Sequence, residues 1–152
     1  MNLRDLDQYT RQYPKIKWIL AHCARSFTYW PIRQAVERLR DIPNLWYDTL
    51  AVTDVMPHYT LMKQEDHRRI MFGTNNLVAN AFHDKYVAMG RYWFVAGTPK
   101  HHVSQTERDT GHRPVLSIYE QVLCMKHAVD LAELSPTQIE DIFSRNARAV
   151  LD

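Results

Sequence analysis

The stretch Arg69-Ile70-Met71-Phe72-Gly73-Thr74-Asn75 constrains the fold more than any other part of the chain. An apolar run stops at a glycine and then delivers small polar residues. Buried parallel strands end this way when their carboxyl termini open onto a functional face. Two earlier segments share the design. Ile16-Lys17-Trp18-Ile19-Leu20-Ala21 runs into His22-Cys23-Ala24-Arg25-Ser26, and Leu45-Trp46-Tyr47-Asp48 runs into Thr49. The three ends fall about 25 residues apart with helical pattern between them, which suits strand–helix units of an α/β barrel or open sheet.

Between these ends the chain reads as helices and turns. Residues 3–12 form a helix that must stop before Pro14, because the residue preceding proline disfavours helical backbone. Ser26 or Thr28 can cap a helix with Pro31 in its first turn, and Ile32, Ala35, Val36 and Leu39 mark its buried face. A shorter helix over 57–64 bridges to the third strand. The aromatic-rich stretch 81–94 reads as helical, and the polar stretch 97–113 as a loop. Pro114 opens a long helix whose stripe is Val115, Ile118, Val122, Met125, Val129 and Ala132, widened by Leu116, Tyr119 and Leu123. Ser135-Pro136-Thr137-Gln138 is a capping box with proline at the first helical position, starting a helix through Ile139, Ile142 and Phe143.

Composition excludes several function classes. Apolar residues at 45% and charged residues at 24% belong to a globular chain. A net charge of +2 argues against nucleic acid or an anionic membrane, although residues 1–40 carry eight Lys/Arg against three Asp/Glu. No run reaches transmembrane length, and Met1-Asn2-Leu3-Arg4-Asp5 lacks the apolar core of a signal peptide. Two cysteines make no disulfide framework, so a reduced cytoplasmic setting is the expectation. In extended chain His22 and Cys23 would point to opposite faces, which argues against a nucleophilic pair between them.

The ordered segments around His22, Asp48-Thr49, Gly73-Thr74 and Asn146-Ala147-Arg148 together resemble the carboxyl-terminal half of an amidohydrolase-related protein. That branch of metal-dependent hydrolases and decarboxylases is built on a TIM-like barrel. The resemblance implies that the three segments are the sixth, seventh and eighth barrel strands. The expectation is an α/β fold: a partial TIM-like barrel of about three parallel strands with flanking helices and a helical carboxyl-terminal tail. Residues 1–152 would form one incomplete domain, since a full barrel takes about 250 residues.

The resemblance also assigns roles. His22 stands where the family places a metal-site histidine that polarises or deprotonates the reacting water. Asn75 stands where the family usually carries the aspartate of a Gly-Thr-Asp or Gly-Ser-Asp motif. An amide is a poorer ligand for a divalent cation and is no general base at pH 7. Ala24 replaces a glycine of the His-x-Gly motif, which costs nothing unless the backbone needs a positive φ. The His-x-His pair of the first strand and the ligand of the fifth have no counterpart. A catalytic zinc wants three protein ligands, and His22 alone does not reach that number. Arg25 could pair with a substrate carboxylate or simply lie on the surface. Asp48 reads as a polar residue bonded to loop backbone, and His101, His102 and His112 as a solvated loop rather than a zinc site.

Three functions remain open on the sequence. One is a fragment or degenerate copy of a hydrolase or decarboxylase, silent alone and binding no zinc by itself. Another is one subunit of a split enzyme, completed by a second chain carrying the His-x-His half and then acting on a small molecule. The last is a non-catalytic interaction module. Unpaired strand edges would favour a homo-oligomer or a complementary barrel fragment as partner.

Overall fold

A computed structural model describes residues 3–75, 85–89, 92–96 and 116–152. Its order is α1 (Leu3–Gln12), β1 (Trp18–Leu20), a short helical turn (Ala21–Arg25), α2 (Tyr29–Leu39), β2 (Leu45–Asp48) and α3 (Val55–Gln64). A 3-10 turn (His67–Arg69) leads into β3 (Ile70–Met71). Then come β4 (Lys85–Met89), β5 (Tyr92–Ala96), α4 (Ser117–Ala132), α5 (Pro136–Glu140), a π-helical segment (Asp141–Arg145) and α6 (Asn146–Leu151).

Strands β1, β2 and β3 form one parallel sheet in that order, with Leu20 beside Tyr47 and Tyr47 beside Ile70. Parallel neighbours need a crossover of a dozen or more residues, and α2 and α3 supply it. The fold is therefore α/β, three successive strand–helix units as in part of a TIM-like barrel. Leu20, Leu45, Tyr47 and Ile70 are buried in one core with Ile32, Val36, Leu39 and Leu61 of the crossover helices. Each such side chain contributes roughly 1.5–3 kcal/mol by leaving water. On the other face Ile19, beside Trp46 in register, is 40% exposed.

The two ends of the sheet have different chemistry. At the entry end Arg69 donates to the carbonyls of Leu39, Arg40, Ile42 and Leu45 and pairs with Glu65. Asn44 likewise donates to the carbonyls of Thr10, Tyr13 and Ile16. These side chains satisfy backbone acceptors where strands begin, the face that carries stability in barrels.

The outer edge of β3 is closed by the carboxyl-terminal helices. Met71 directs its carbonyl to the N–H of Thr49, just past β2, so Ile70 and Phe72 point their backbone groups the other way. The Phe72 N–H donates to the Ile142 carbonyl at 2.9 Å, and Asn146 Nδ2 donates to the Ile70 carbonyl at 2.8 Å. Ile142 lies inside the π-helical segment, whose wider turn loosens its own ladder.

Three expectations are corrected. Stretch 81–94 contains no described helix: residues 85–89 and 92–96 pair as antiparallel strands, with Met89 beside Tyr92. Tyr, Trp, Phe and Val favour the pleated surface of a strand, and two residues including Gly90 between the strands suit a hairpin. The buried face of α4 is Ser117, Gln121, Cys124, Met125, Ala128 and Ala132, whereas Tyr119, Val122 and Leu123 are exposed. The polar Gln121 sits at the centre of that face, so hydrophobicity alone misplaced it. The first strand is shorter than residues 16–21, for the reason described next. Histidines 101, 102 and 112 lie outside the described residues.

Candidate active site

The carboxyl end of β1 turns directly into a left-handed coil. His22 (φ 56°, ψ 47°), Cys23 (φ 49°, ψ 51°), Ala24 (φ 60°, ψ 40°) and Arg25 (φ 58°) all have positive φ. The Ser26 N–H closes the turn on the His22 carbonyl at 2.7 Å. For L-residues this winding costs roughly 1–2 kcal/mol each, and none of the four is glycine. The residues that follow are buried: Ser26, Phe27 and Thr28, with the Phe27 ring 5.2 Å from the His22 ring. Strain of this kind persists only where surrounding contacts over-determine it.

One such contact is beneath the turn. Cys23 and His58 of α3 are both fully buried, with Cys23 Sγ 3.9 Å from His58 Nδ1. His58 Nε2 lies 2.8 Å from the Val52 carbonyl and so carries the proton, leaving Nδ1 to accept from the thiol. Burial pushes the Cys23 thiol far up and the His58 imidazole down to about 4. Both partners are therefore neutral, and the thiol is not a nucleophile. The side chain next to His22 does have an imidazole partner, but on α3 and not in the turn.

His22 itself is fixed from the other side. Its Nδ1 lies 2.9 Å from the Leu50 carbonyl. A carbonyl only accepts, so Nδ1 bears the proton and Nε2 is bare, the state in which imidazole binds a metal or takes up a proton. Leu50 in turn donates its N–H to Asp48 Oδ1 at 2.9 Å. Burial raises the Asp48 carboxyl above the usual carboxylate range, while the Leu50 N–H opposes that rise, as would His22 once its ring takes up a second proton. Gly73, at the end of β3, makes room for this carboxylate. A Cβ there would collide with both carboxylate oxygens of Asp48.

A residue that the sequence did not single out joins these ends. Gln121, fully buried on α4, donates from Nε2 to the carbonyls of Thr49 and Gly73 at 3.0 and 2.7 Å. Its Oε1 accepts the Ala51 N–H at 3.2 Å. Ala51 is itself at φ 55°. The signal was a lone amide on an otherwise apolar helical stripe, where a buried polar group must find partners.

Of the expected site residues, the structure links His22 through the Leu50 backbone to Asp48, which bonds loop backbone as expected, with Gly73 beside it. Asn75 follows Gly73 at φ 53°, a left-handed position that asparagine tolerates. Among the described residues no hydrogen bond joins its side chain to His22 or Asp48. Arg25 is exposed. Ala24 does occupy a positive-φ position, so the exchange of glycine for alanine carries a cost.

A family model described as Amidohydrolase matches residues 1–152. The chain belongs to the amidohydrolase family. Comparisons with curated proteins and with solved structures return no match. Amidohydrolases are generally metal-dependent, and His22, with its bare Nε2, fits the family's need for an imidazole ligand. The rest of the donor set does not fit. Among the described residues there is no group of three or more His, Cys, Asp or Glu able to hold a metal. A three-ligand zinc centre is therefore not assembled by these residues alone. Also among them, no helix is long and apolar enough to cross a membrane.

Proposed function

We propose that this amidohydrolase-family chain is a fragment or degenerate copy of a metal-dependent hydrolase or decarboxylase, silent on its own. Its 152 residues then form one incomplete domain. The observation that carries this reading is the donor inventory at the strand ends. His22 offers one bare nitrogen, Asp48 is already bonded to Leu50, and the third strand delivers Asn75 in place of an aspartate. One imidazole and one amide hold a divalent cation weakly and supply no base for water at neutral pH. Arg25, exposed one turn from His22, would meet a substrate carboxylate if the site were completed. Both cysteines are buried and neither forms a disulfide, in keeping with a cytoplasmic setting.

A second reading rests on the inner face of the sheet, where Ile19 is 40% exposed beside Trp46. A second copy, or a separate chain bearing the His-x-His strand, would cover that face, and the latter would restore the ligands for a small-molecule substrate. Nucleic acid and membrane have no part in either reading.

Native mass spectrometry of the purified chain with and without added zinc tests the proposal. The expected result is no stoichiometric zinc. A defined oligomer holding one zinc per chain would overturn it in favour of a complete enzyme. Asn75→Asp should raise zinc affinity in the presence of a complementing chain, and an unchanged affinity would show that Asn75 does not occupy the aspartate position.

A further inference from the structure

The Leu50 backbone is held on both sides of its Cα by side chains of the candidate site. Its N–H donates to the Asp48 carboxylate and its carbonyl accepts from His22 Nδ1, each at 2.9 Å. The two groups belong to successive amides joined at the Leu50 Cα, so the Asp48 bond restrains the backbone angles that aim the carbonyl at His22. The neighbouring strand gives up a side chain for Asp48, since any Cβ at Gly73 would overlap both carboxylate oxygens.

We propose that Asp48 is a positioning residue for His22, fixing the Leu50 backbone so that its carbonyl holds the imidazole in its Nδ1–H tautomer with Nε2 bare. Gly73 is part of the device, because it lets the carboxylate reach the Leu50 N–H. Gln121 steadies the same loop by bonding the residues on either side of Leu50, Thr49 and Ala51. The inference deepens the functional proposal and rests on it only in taking His22 as the reactive side chain. The tautomer itself is measured without metal or turnover.

The test is two-bond ¹H–¹⁵N correlation NMR of the uniformly labelled chain at pH 8, with the His22 signals assigned by their loss in His22→Gln. Wild type should show His22 protonated at Nδ1. Asp48→Asn should keep that tautomer, because the amide oxygen still accepts from Leu50. Asp48→Ala, and Gly73→Ala with Asp48 intact, should lose it. Since Gly73→Ala leaves the carboxylate residue in place, failure of Asp48→Ala to fold does not remove the test. An Nε2–H tautomer in wild type, or an unchanged Nδ1–H tautomer in either folded alanine variant, overturns the inference. Zinc uptake by wild type would instead count against the functional proposal and leave the tautomer result standing.

Discussion

At the scale of single residues, protonation in the site is set by burial and by the bond each side chain makes. His58 shows this most clearly. Its imidazole is held down to about 4 in the folded chain against an ordinary value of 6.5. Between those two values the unfolded chain binds a proton that the folded chain refuses. Stability is therefore complete above pH 6.5 and declines as the pH falls toward 4, by on the order of 3 kcal/mol. Urea denaturation at pH 7.5 and 4.5 should show the loss, and His58→Asn should flatten it. Ala24 gives a prediction of opposite sign. With φ at 60°, Ala24→Gly should stabilise the fold by roughly 0.5–1 kcal/mol, seen as a higher urea midpoint. A lower midpoint would mean that the methyl group contributes more by packing than the backbone loses by strain. The left-handed turn was not legible beforehand. Left-handed backbone announces itself through glycine or asparagine, and His22-Cys23-Ala24-Arg25 contains neither.

At the scale of elements, legibility followed hydrophobic period and capping chemistry. Helix α1 ends where Pro14 demanded, α2 buries the four expected residues, and Ser135 and Gln138 cap each other reciprocally. These signals are local, so nothing distant could overrule them. Helix α4 behaved differently because its burial is set by a polar contact. The end of β2 and the end of β3 need a donor and acceptor on one side chain, and Gln121 turns its helix to provide them. Gln121→Leu, similar in size, would take the side-chain partner from the Ala51 N–H and the Gly73 carbonyl and leave the Thr49 carbonyl only the 3.4 Å bond from the Val52 N–H. At 1–3 kcal/mol for each of the first two, the cost should be about 3 kcal/mol by urea denaturation. Val122→Ala, one residue along and 41% exposed, should stay within about 0.5 kcal/mol. Equal costs for the two would show that Gln121 only fills space. Stretch 81–94 failed for a related reason: aromatic and β-branched residues fit a strand or a buried helix, and period alone does not separate them over so few residues.

At the scale of the whole molecule, the face bearing His22 and Asp48 lies at the strand ends and the polar locks of Arg69 and Asn44 lie at the strand beginnings. The order of the three strands was legible because helical pattern separates their ends at intervals of about 25 residues, which suits successive strand–helix units. The closure of the β3 edge was not, since it depends on a carbonyl inside a π-helical segment and on one asparagine amide. Asn146 also donates to the His67 carbonyl at 2.7 Å, which keeps the Ile70 N–H as a partner, so Asn146→Ala should cost about 1–3 kcal/mol by leaving the Ile70 carbonyl unbonded. Hydrogen exchange should then quicken at Phe72 more than at Trp18. A barrel is a ring, and a ring can be completed only by a piece with two open ends. With Ile142 and Asn146 seated on β3, the described residues leave one, the side of β1 away from β2. If a complementary half were to close the ring, the carboxyl-terminal helices would first have to let go, and the rate of that release should follow the strength of the Asn146 contact.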